Sequence, residues 1–87
     1  MTKLTISVTT TGAVLTKVFI DHDVLPTPGG TGSAMLQPGQ HALTWVVLGA
    51  PGDSYTIAIT APAAAAWTNG GTLDSSGKDA GLHWVEV

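Results

Sequence analysis

Three histidines are the side chains of this 87-residue chain best suited to hold a metal ion. His22, His41 and His83 lie far apart in sequence, and no two of them have the i, i+2 or i, i+4 spacing of familiar zinc motifs. A zinc site would therefore require the fold to bring all three together. Packing or surface roles account for isolated histidines more simply, so we predict no bound metal and no cofactor.

Two carboxylates, Asp21 and Asp23, begin a loop rich in glycine and proline. Carboxylate and carbonyl oxygens are the ligands of calcium, but a calcium site uses six or more of them, and this loop offers only two certain ones. The alternative is that the acidic residues solvate the end of a strand. A second acidic loop, residues 74–79, does not match the helix-flanked calcium loop.

Signatures of nucleophilic catalysis and phosphate binding are weak. Gly52-Asp53-Ser54 resembles the start of a hydrolase signature, but the full Gly-x-Ser-x-Gly pattern is absent. The glycines at 29–32 lack the following helix and lysine of a phosphate-binding loop. A chain this small rarely provides the cleft that a catalytic triad needs. We therefore predict that the protein is not an enzyme.

Trp67 is the residue that most suggests a ligand. It precedes the polar run Thr68-Asn69-Gly70-Gly71, and an aromatic plane beside hydroxyl and amide groups can stack on a sugar ring. Trp67 and Asn69 would then form a carbohydrate site. The alternative is that Trp67 covers one end of the core, because burying a tryptophan is favourable.

Short β-strands must position these side chains, because apolar and polar residues alternate along most of the chain. The predicted strands are 3–9, 14–20, 33–36, 41–48, 54–60, 72–73 and 82–87. Strands 41–48 and 54–60 are separated by a short turn, which predicts a hairpin. The alanine-rich segment 61–67 predicts one packed turn or a crossover.

Six to seven short strands in fewer than ninety residues predict a single domain over residues 1–87. Its fold class would be all-β, a small antiparallel β-sandwich, with a small barrel as the alternative. The chain has no cysteine, so neither a disulfide nor a thiolate metal site can stabilise it.

Two sequence segments resemble the PEGA-type modules, which belong among the immunoglobulin-like β-sandwiches. They are Val18-Phe19-Ile20-Asp21 and, after a loop, Leu36-Gln37-Pro38-Gly39-Gln40-His41-Ala42-Leu43. The family has a glycine where this chain has His22, and a Gly-Tyr pair after the strand 41–48 that this chain lacks. The resemblance covers under half of the chain. It implies a non-catalytic, surface-associated interaction module, with no functional residues to carry over.

Charge is scarce, which excludes one class of partner. Only 10% of the residues are charged, against roughly 25% in an average domain, and three lysines without arginine leave a net charge of −3. Such a chain cannot neutralise a phosphate backbone, so we predict no nucleic-acid binding. The apolar runs are far below the ~20 residues that span a bilayer. We expect neither membrane insertion nor a signal peptide, and the compartment stays undefined.

The apolar composition also predicts how the protein acts. Hydrophobic residues make up 44% of the chain, so another chain is expected to cover part of its apolar surface. The terminal strands 3–9 and 82–87 contain no proline and little charge, and unless they pair within the chain their edges invite pairing with another chain. We predict a non-catalytic binding or assembly module that forms homo-oligomers or binds another protein, with Trp84 or Val85 near the interface. The alternative is a small carbohydrate-binding module with Trp67 as its stacking platform.

Overall fold

The computed structural model describes all 87 residues, Met1–Val87, and folds them into eight β-strands without an α-helix. The strands are β1 (Thr2–Thr10), β2 (Leu15–Ile20), β3 (Asp23–Leu25), β4 (Thr31–Leu36), β5 (Gln40–Leu48), β6 (Ser54–Ala61), β7 (Trp67–Thr72) and β8 (Lys78–Glu86). Short 3-10 turns lie at Pro28–Gly30 and Ala63–Ala65. The all-β prediction is confirmed, with one strand more than the sequence indicated.

The strands form two antiparallel sheets of four, in the orders β4-β1-β6-β7 and β3-β2-β5-β8. No strand ladder joins the two sheets, so they do not close into a barrel, and the barrel alternative is wrong. The predicted hairpin of strands 41–48 and 54–60 is also wrong. β5 pairs with β2 and β8, whereas β6 pairs with β1 and β7 in the other sheet.

One apolar core draws on both sheets. Its fourteen buried residues are Leu4, Ile6, Val18, Ile20, Leu25, Leu36, Leu43, Trp45, Val47, Tyr55, Ile57, Ile59, Leu73 and Val85. The period-two pattern explains this selection, because alternate residues of a strand point to the same face. In β5, for example, Leu43, Trp45 and Val47 face the core, and they stand at every second position of the strand.

Trp45 is the largest side chain of this core and contacts elements of both sheets. Its ring lies against Gly81 of the neighbouring strand β8, where an added Cβ would overlap the ring. On the side of the other sheet, its ring centroid is 5.4 Å from that of Trp67 in β7. The buried indole N–H of Trp45 lies near the Tyr55 hydroxyl, without the geometry of a full hydrogen bond.

The two terminal strands have different environments. β1 lies between β4 and β6, so it pairs within the chain and offers no open edge. β8 pairs only with β5 and is the edge of its sheet, with nine residues and no proline. No helix of the protein is long and apolar enough to cross a membrane.

The contact between Trp45 and Gly81 predicts a specific sensitivity to one methyl group. Gly81→Ala should lower the free energy of unfolding by about 1–3 kcal/mol, because the buried ring must move to admit the Cβ. Gly71→Ala is the matched control, since a Cβ there meets only ordinary contacts of 3.6 Å or more. Urea unfolding measures both variants, and equal stabilities would contradict the packing described here.

Candidate functional site

An exposed apolar surface covers the outer face of the β3-β2-β5-β8 sheet. Six of the eight exposed large hydrophobic residues lie on it, and the other two are Met1 and Met35. The strand register places these six on the same face, because directly opposite residues of paired strands share a face. Together with half-buried Phe19 we call them the apolar face: Leu15, Phe19, Val24, Val46, Leu48, Leu82 and Trp84.

Charges within the apolar face are few. Lys17 projects from β2 between Leu15 and Phe19, while Lys78 and Glu86 stand at the two ends of β8. A cleft of about 300 Å³ lies beside Lys17. The sequence contained a signal for this surface, because the run Trp45-Val46-Val47-Leu48 supplies apolar side chains to both faces of one strand.

The outer face of the β4-β1-β6-β7 sheet has the opposite character. Its outward positions carry mainly hydroxyl groups, and we call it the hydroxyl face: Thr5, Ser7, Thr9, Thr31, Ser33, Thr56, Thr68 and Thr72. Lys3, Met35 and Ala58 are the other main members of that surface. The two outer faces of one small protein are therefore chemically distinct, and only one of them suits contact with water.

The predicted interface residues separate into one exposed and one buried side chain. Trp84 belongs to the apolar face and is 57% exposed, so it is free to contact a partner. Val85 points the opposite way and is 2% exposed within the core. Its side chain cannot contribute to an interface, because neighbouring residues of a strand point to opposite faces.

Trp67 lies at the open side of the core, between β7 and β8. It is opposite buried Ile59 in the β6–β7 ladder, so it points toward the core and is half-buried. The imidazole of His83 stacks on the Trp67 ring, with a centroid distance of 4.0 Å and an interplanar angle of 10°. One ring face is thereby occupied. Asn69 lies on the same side of β7 and is also partly buried.

A shallow cleft of about 250 Å³ lies beside Trp67. Residues Ala64 to Ala66 form one wall, and residues 83–86 of β8 form the other. Both the exposed Trp84 and the half-buried Trp67 line it. The small alanine side chains leave the side of β8 that faces away from β5 accessible at this point.

Tyr55 and Asp79 make a polar contact between the two sheets. The hydroxyl of Tyr55 in β6 donates a hydrogen bond of 2.6 Å to Oδ2 of Asp79 in β8. Burial, followed by this bond to an anion, raises the pKa of the Tyr55 hydroxyl. The tyrosine therefore stays protonated as a donor, and the contact is structural.

A second polar contact joins two turns at one end of the protein. Nδ1 of His41 is 2.8 Å from Oδ2 of Asp21, and Nε2 of His41 is 2.8 Å from the backbone oxygen of Gln37. Oδ1 of Asp21 accepts from the backbone N–H of Ala42 at 3.0 Å. Both partners of the imidazole are acceptors, so both ring nitrogens must carry a proton to make both bonds.

The charges in this contact support each other. The bond to Asp21, followed by the bond to Gln37, raises the pKa of His41. The bond to His41, followed by that from Ala42, lowers the pKa of Asp21. The sequence did not indicate this pair, because Asp21 and His41 come together only when β2 pairs with β5.

The candidate metal ligands are dispersed. His41 bonds to Asp21, His83 stacks on Trp67, and His22 is exposed in the turn after β2. No three side chains among histidine, aspartate and glutamate are grouped closely enough to hold a metal ion.

Comparisons with known proteins give no relative. No family model matches the chain, and neither curated proteins nor solved structures show a significant match to it.

The Asp21–His41 pair predicts a pH-dependent stability. Because folding raises the pKa of His41, protonation of this histidine stabilises the folded protein fully at pH values below 6.5, the usual pKa of the side chain. This stability is lost as the pH rises through the pKa that His41 has in the folded protein. The lowered pKa of Asp21 contributes stability above 3.8, which is lost as pH falls through the folded value. The pair should therefore stabilise the protein most between about pH 4 and 6.5.

Asp21→Asn tests this pH window. The asparagine retains a side-chain oxygen that can accept the hydrogen bond from the backbone N–H of Ala42. Relative to the native protein, its unfolding free energy at pH 5.5 should fall by about 0.2–1 kcal/mol, the range of exposed ion pairs, with a smaller loss at pH 9. Asp23→Asn is the control, because it removes the same charge without a bond to His41. Urea unfolding at both pH values provides the measurement, and identical losses at the two would contradict the assignment.

Proposed function

We propose that this protein is a non-catalytic assembly module that associates with copies of itself through the apolar face. The observation that carries the proposal is the difference between the two outer faces. If both were exposed to water, nothing in the folding of strands would favour hydroxyl groups on one sheet and leucine, valine and tryptophan on the other. A contiguous exposed apolar patch of this kind is typical of an interaction site.

The size of the apolar face fits a weak contact with a second copy. Strands β2, β5 and β8 are roughly 20–30 Å long and the three-residue β3 is roughly 10 Å long, so at ~4.8 Å spacing they give a face of roughly 430 Å². Two copies in contact would remove roughly 860 Å² from water, which is below the lower limit of about 1,200 Å² for standard interfaces and in the range of weak ones. Lys17 is compatible with such a contact, because its long side chain can carry the ammonium group to the periphery.

At the level of fold, we propose a β-sandwich that is immunoglobulin-like in the broad sense of two antiparallel sheets on one core. Support comes from the single core shared by the sheets. The strand order differs from the immunoglobulin constant type, in which the first two strands pair, since β1 and β2 here lie in different sheets. The PEGA-type resemblance rests on the turns after Ile20 and at Pro38-Gly39, and stays a proposal.

The carbohydrate alternative centred on Trp67 and Asn69 has weaker support. A stacking platform needs an open ring face, and His83 already covers one face of Trp67. The non-catalytic assignment draws on His41, whose two ring nitrogens are both engaged in the folded protein and are not available to a substrate.

Val46→Lys tests the use of the apolar face. Val46 is exposed on the central strand β5, opposite Lys17, so a second charge there should disfavour burial of the face. The native protein should show a mass above that of one chain in light scattering at micromolar concentration, and the variant a smaller mass. The variant should remain folded by circular dichroism.

Ser33→Lys is the matched control, because it adds the same charge to the hydroxyl face. It should leave the mass unchanged. A native protein that stays monomeric up to hundreds of micromolar would refute self-assembly, and equal effects of the two lysines would refute the role of the apolar face.

A further inference from the structure

The backbone of β8 has hydrogen-bonding groups without a strand partner. Gly39 and Val87 exchange both backbone bonds, at 2.9 and 3.0 Å, in continuation of the β5–β8 ladder. Hydrogen-bonded pairs alternate along an antiparallel ladder, so the odd-numbered residues of β8 bond to β5. The backbone groups of its even-numbered residues point away from β5, to the open edge: Lys78, Ala80, Leu82, Trp84 and Glu86.

This edge lacks most of the usual protection. Exposed edge strands are normally short, or carry a proline, a bulge or a central charge. β3, the opposite edge of the same sheet, has three residues, whereas β8 has nine and no charge between Ala80 and Val85. One local protection exists, since the N–H of Ala80 donates to the side chain of Asp79 at 2.9 Å.

We propose that β8 pairs with β8 of a second copy, antiparallel about a two-fold axis at Leu82, to form a continuous eight-stranded sheet. This inference rests on the self-assembly proposed above and adds a second contact to it. In this register, residues whose numbers sum to 164 lie opposite each other. All nine residues of the strand are then paired.

The register at Leu82 is the one in which the charges of β8 are complementary. Lys78 lies opposite Glu86 of the second copy, and the symmetry repeats this pair at the other end. Both side chains project from the outer face, because Lys78 is opposite Leu48 and Glu86 is opposite Gln40 in the β5–β8 ladder. Opposite charges at directly facing positions stabilise a strand pair. Moving the axis by one residue along the strand removes both charge pairs.

The shape of the edge agrees with this register. Ala80 would lie opposite Trp84 of the second copy, and Gly81 opposite His83. Residues 83–86, which line the cleft beside the alanines at 64–66, would lie opposite residues 81 to 78 of the incoming strand. Ala80 and Gly81 leave room for Trp84 and His83 in this register, while Asp79 and Lys78 face Val85 and Glu86. The N–H of Ala80 would give up its hydrogen bond to the side chain of Asp79 and donate instead to the backbone carbonyl of Trp84 in the second copy.

The edge contact and the face contact are compatible. The two-fold axis at Leu82 is perpendicular to the sheet, whereas an axis relating two stacked faces lies parallel to it. Two perpendicular two-fold axes generate a closed tetramer. The edge contact would also compensate for the small area of the face contact, because it joins two apolar faces into one larger surface without exposing further apolar groups.

Charge reversal provides the first test. Glu86→Lys places two lysines opposite each other at both ends of the strand pair. It should weaken the edge contact about tenfold in dimer dissociation constant, converting tetramers into dimers. Lys78→Glu should act likewise, and the double variant K78E/E86K should restore native assembly. The two residues are about 26 Å apart within one strand, so rescue can arise only between chains.

Lys3→Glu is the matched control, because it reverses a lysine on the hydroxyl face, and it should leave the mass unchanged.

A single thiol provides the second test, since the chain has no cysteine of its own. Leu82→Cys should form a covalent dimer rapidly under mild oxidation, and Ser33→Cys should not. The register places the two Cα atoms about 5.5 Å apart, within the range of a disulfide.

The outcomes separate this inference from the proposed function. Tetramers that become dimers in Val46→Lys and also in Glu86→Lys support both contacts. A second outcome would overturn the edge contact and retain the face contact. In it, Val46→Lys disrupts assembly, whereas Glu86→Lys and Lys78→Glu leave assembly unchanged. The Leu82→Cys variant also fails to cross-link. Failure of the double variant to restore assembly overturns the register. A native protein that remains monomeric overturns both proposals.

Discussion

The contact of the Trp45 ring with Gly81 is the constraint on which the rest of the structure depends. The ring occupies the space that a side chain at Gly81 would fill, and it reaches Trp67 in the opposite sheet. Trp67 in turn stacks on His83, so one chain of aromatic contacts crosses from β5 to β7 and returns to β8. The two sheets share no backbone ladder and depend on such side-chain contacts for their relative position.

This arrangement leaves β8 with two separate tasks. Its Val85 is buried in the core, Gly81 and His83 pack against Trp45 and Trp67, and Asp79 bonds to Tyr55 of the other sheet. Its outward residues carry no structural contact of that kind, yet they include the exposed Trp84. A strand so firmly attached on one side offers a rigid edge and face on the other, and rigid surfaces lose little entropy on association.

The two outer faces show how a chain with so few charged residues distributes its polar and apolar side chains. Threonine and serine supply the solvated surface of one sheet, where β-branched threonine also favours extended structure. The outer face of the other sheet has no comparable polar layer, and its few charges lie at the ends of β8 and at Lys17. Six of the eight exposed large hydrophobic residues of the chain therefore lie on that one face.

The sequence by itself determined the all-β class and, through period-two alternation, the inward residues of strands such as β5. It did not determine which strands pair, because alternation defines the two faces of a strand but not its neighbours. The hairpin expected between 41–48 and 54–60 was wrong for that reason, and both Trp84 and Val85 stayed candidates for the interface because they differ only in parity. Asp21 and His41, twenty residues apart, likewise meet only once β2 and β5 pair, and a single sequence does not contain that register in readable form. Only the tertiary structure decided that β1 is central, that β8 is an edge, and that six of the eight exposed large hydrophobic residues share one face.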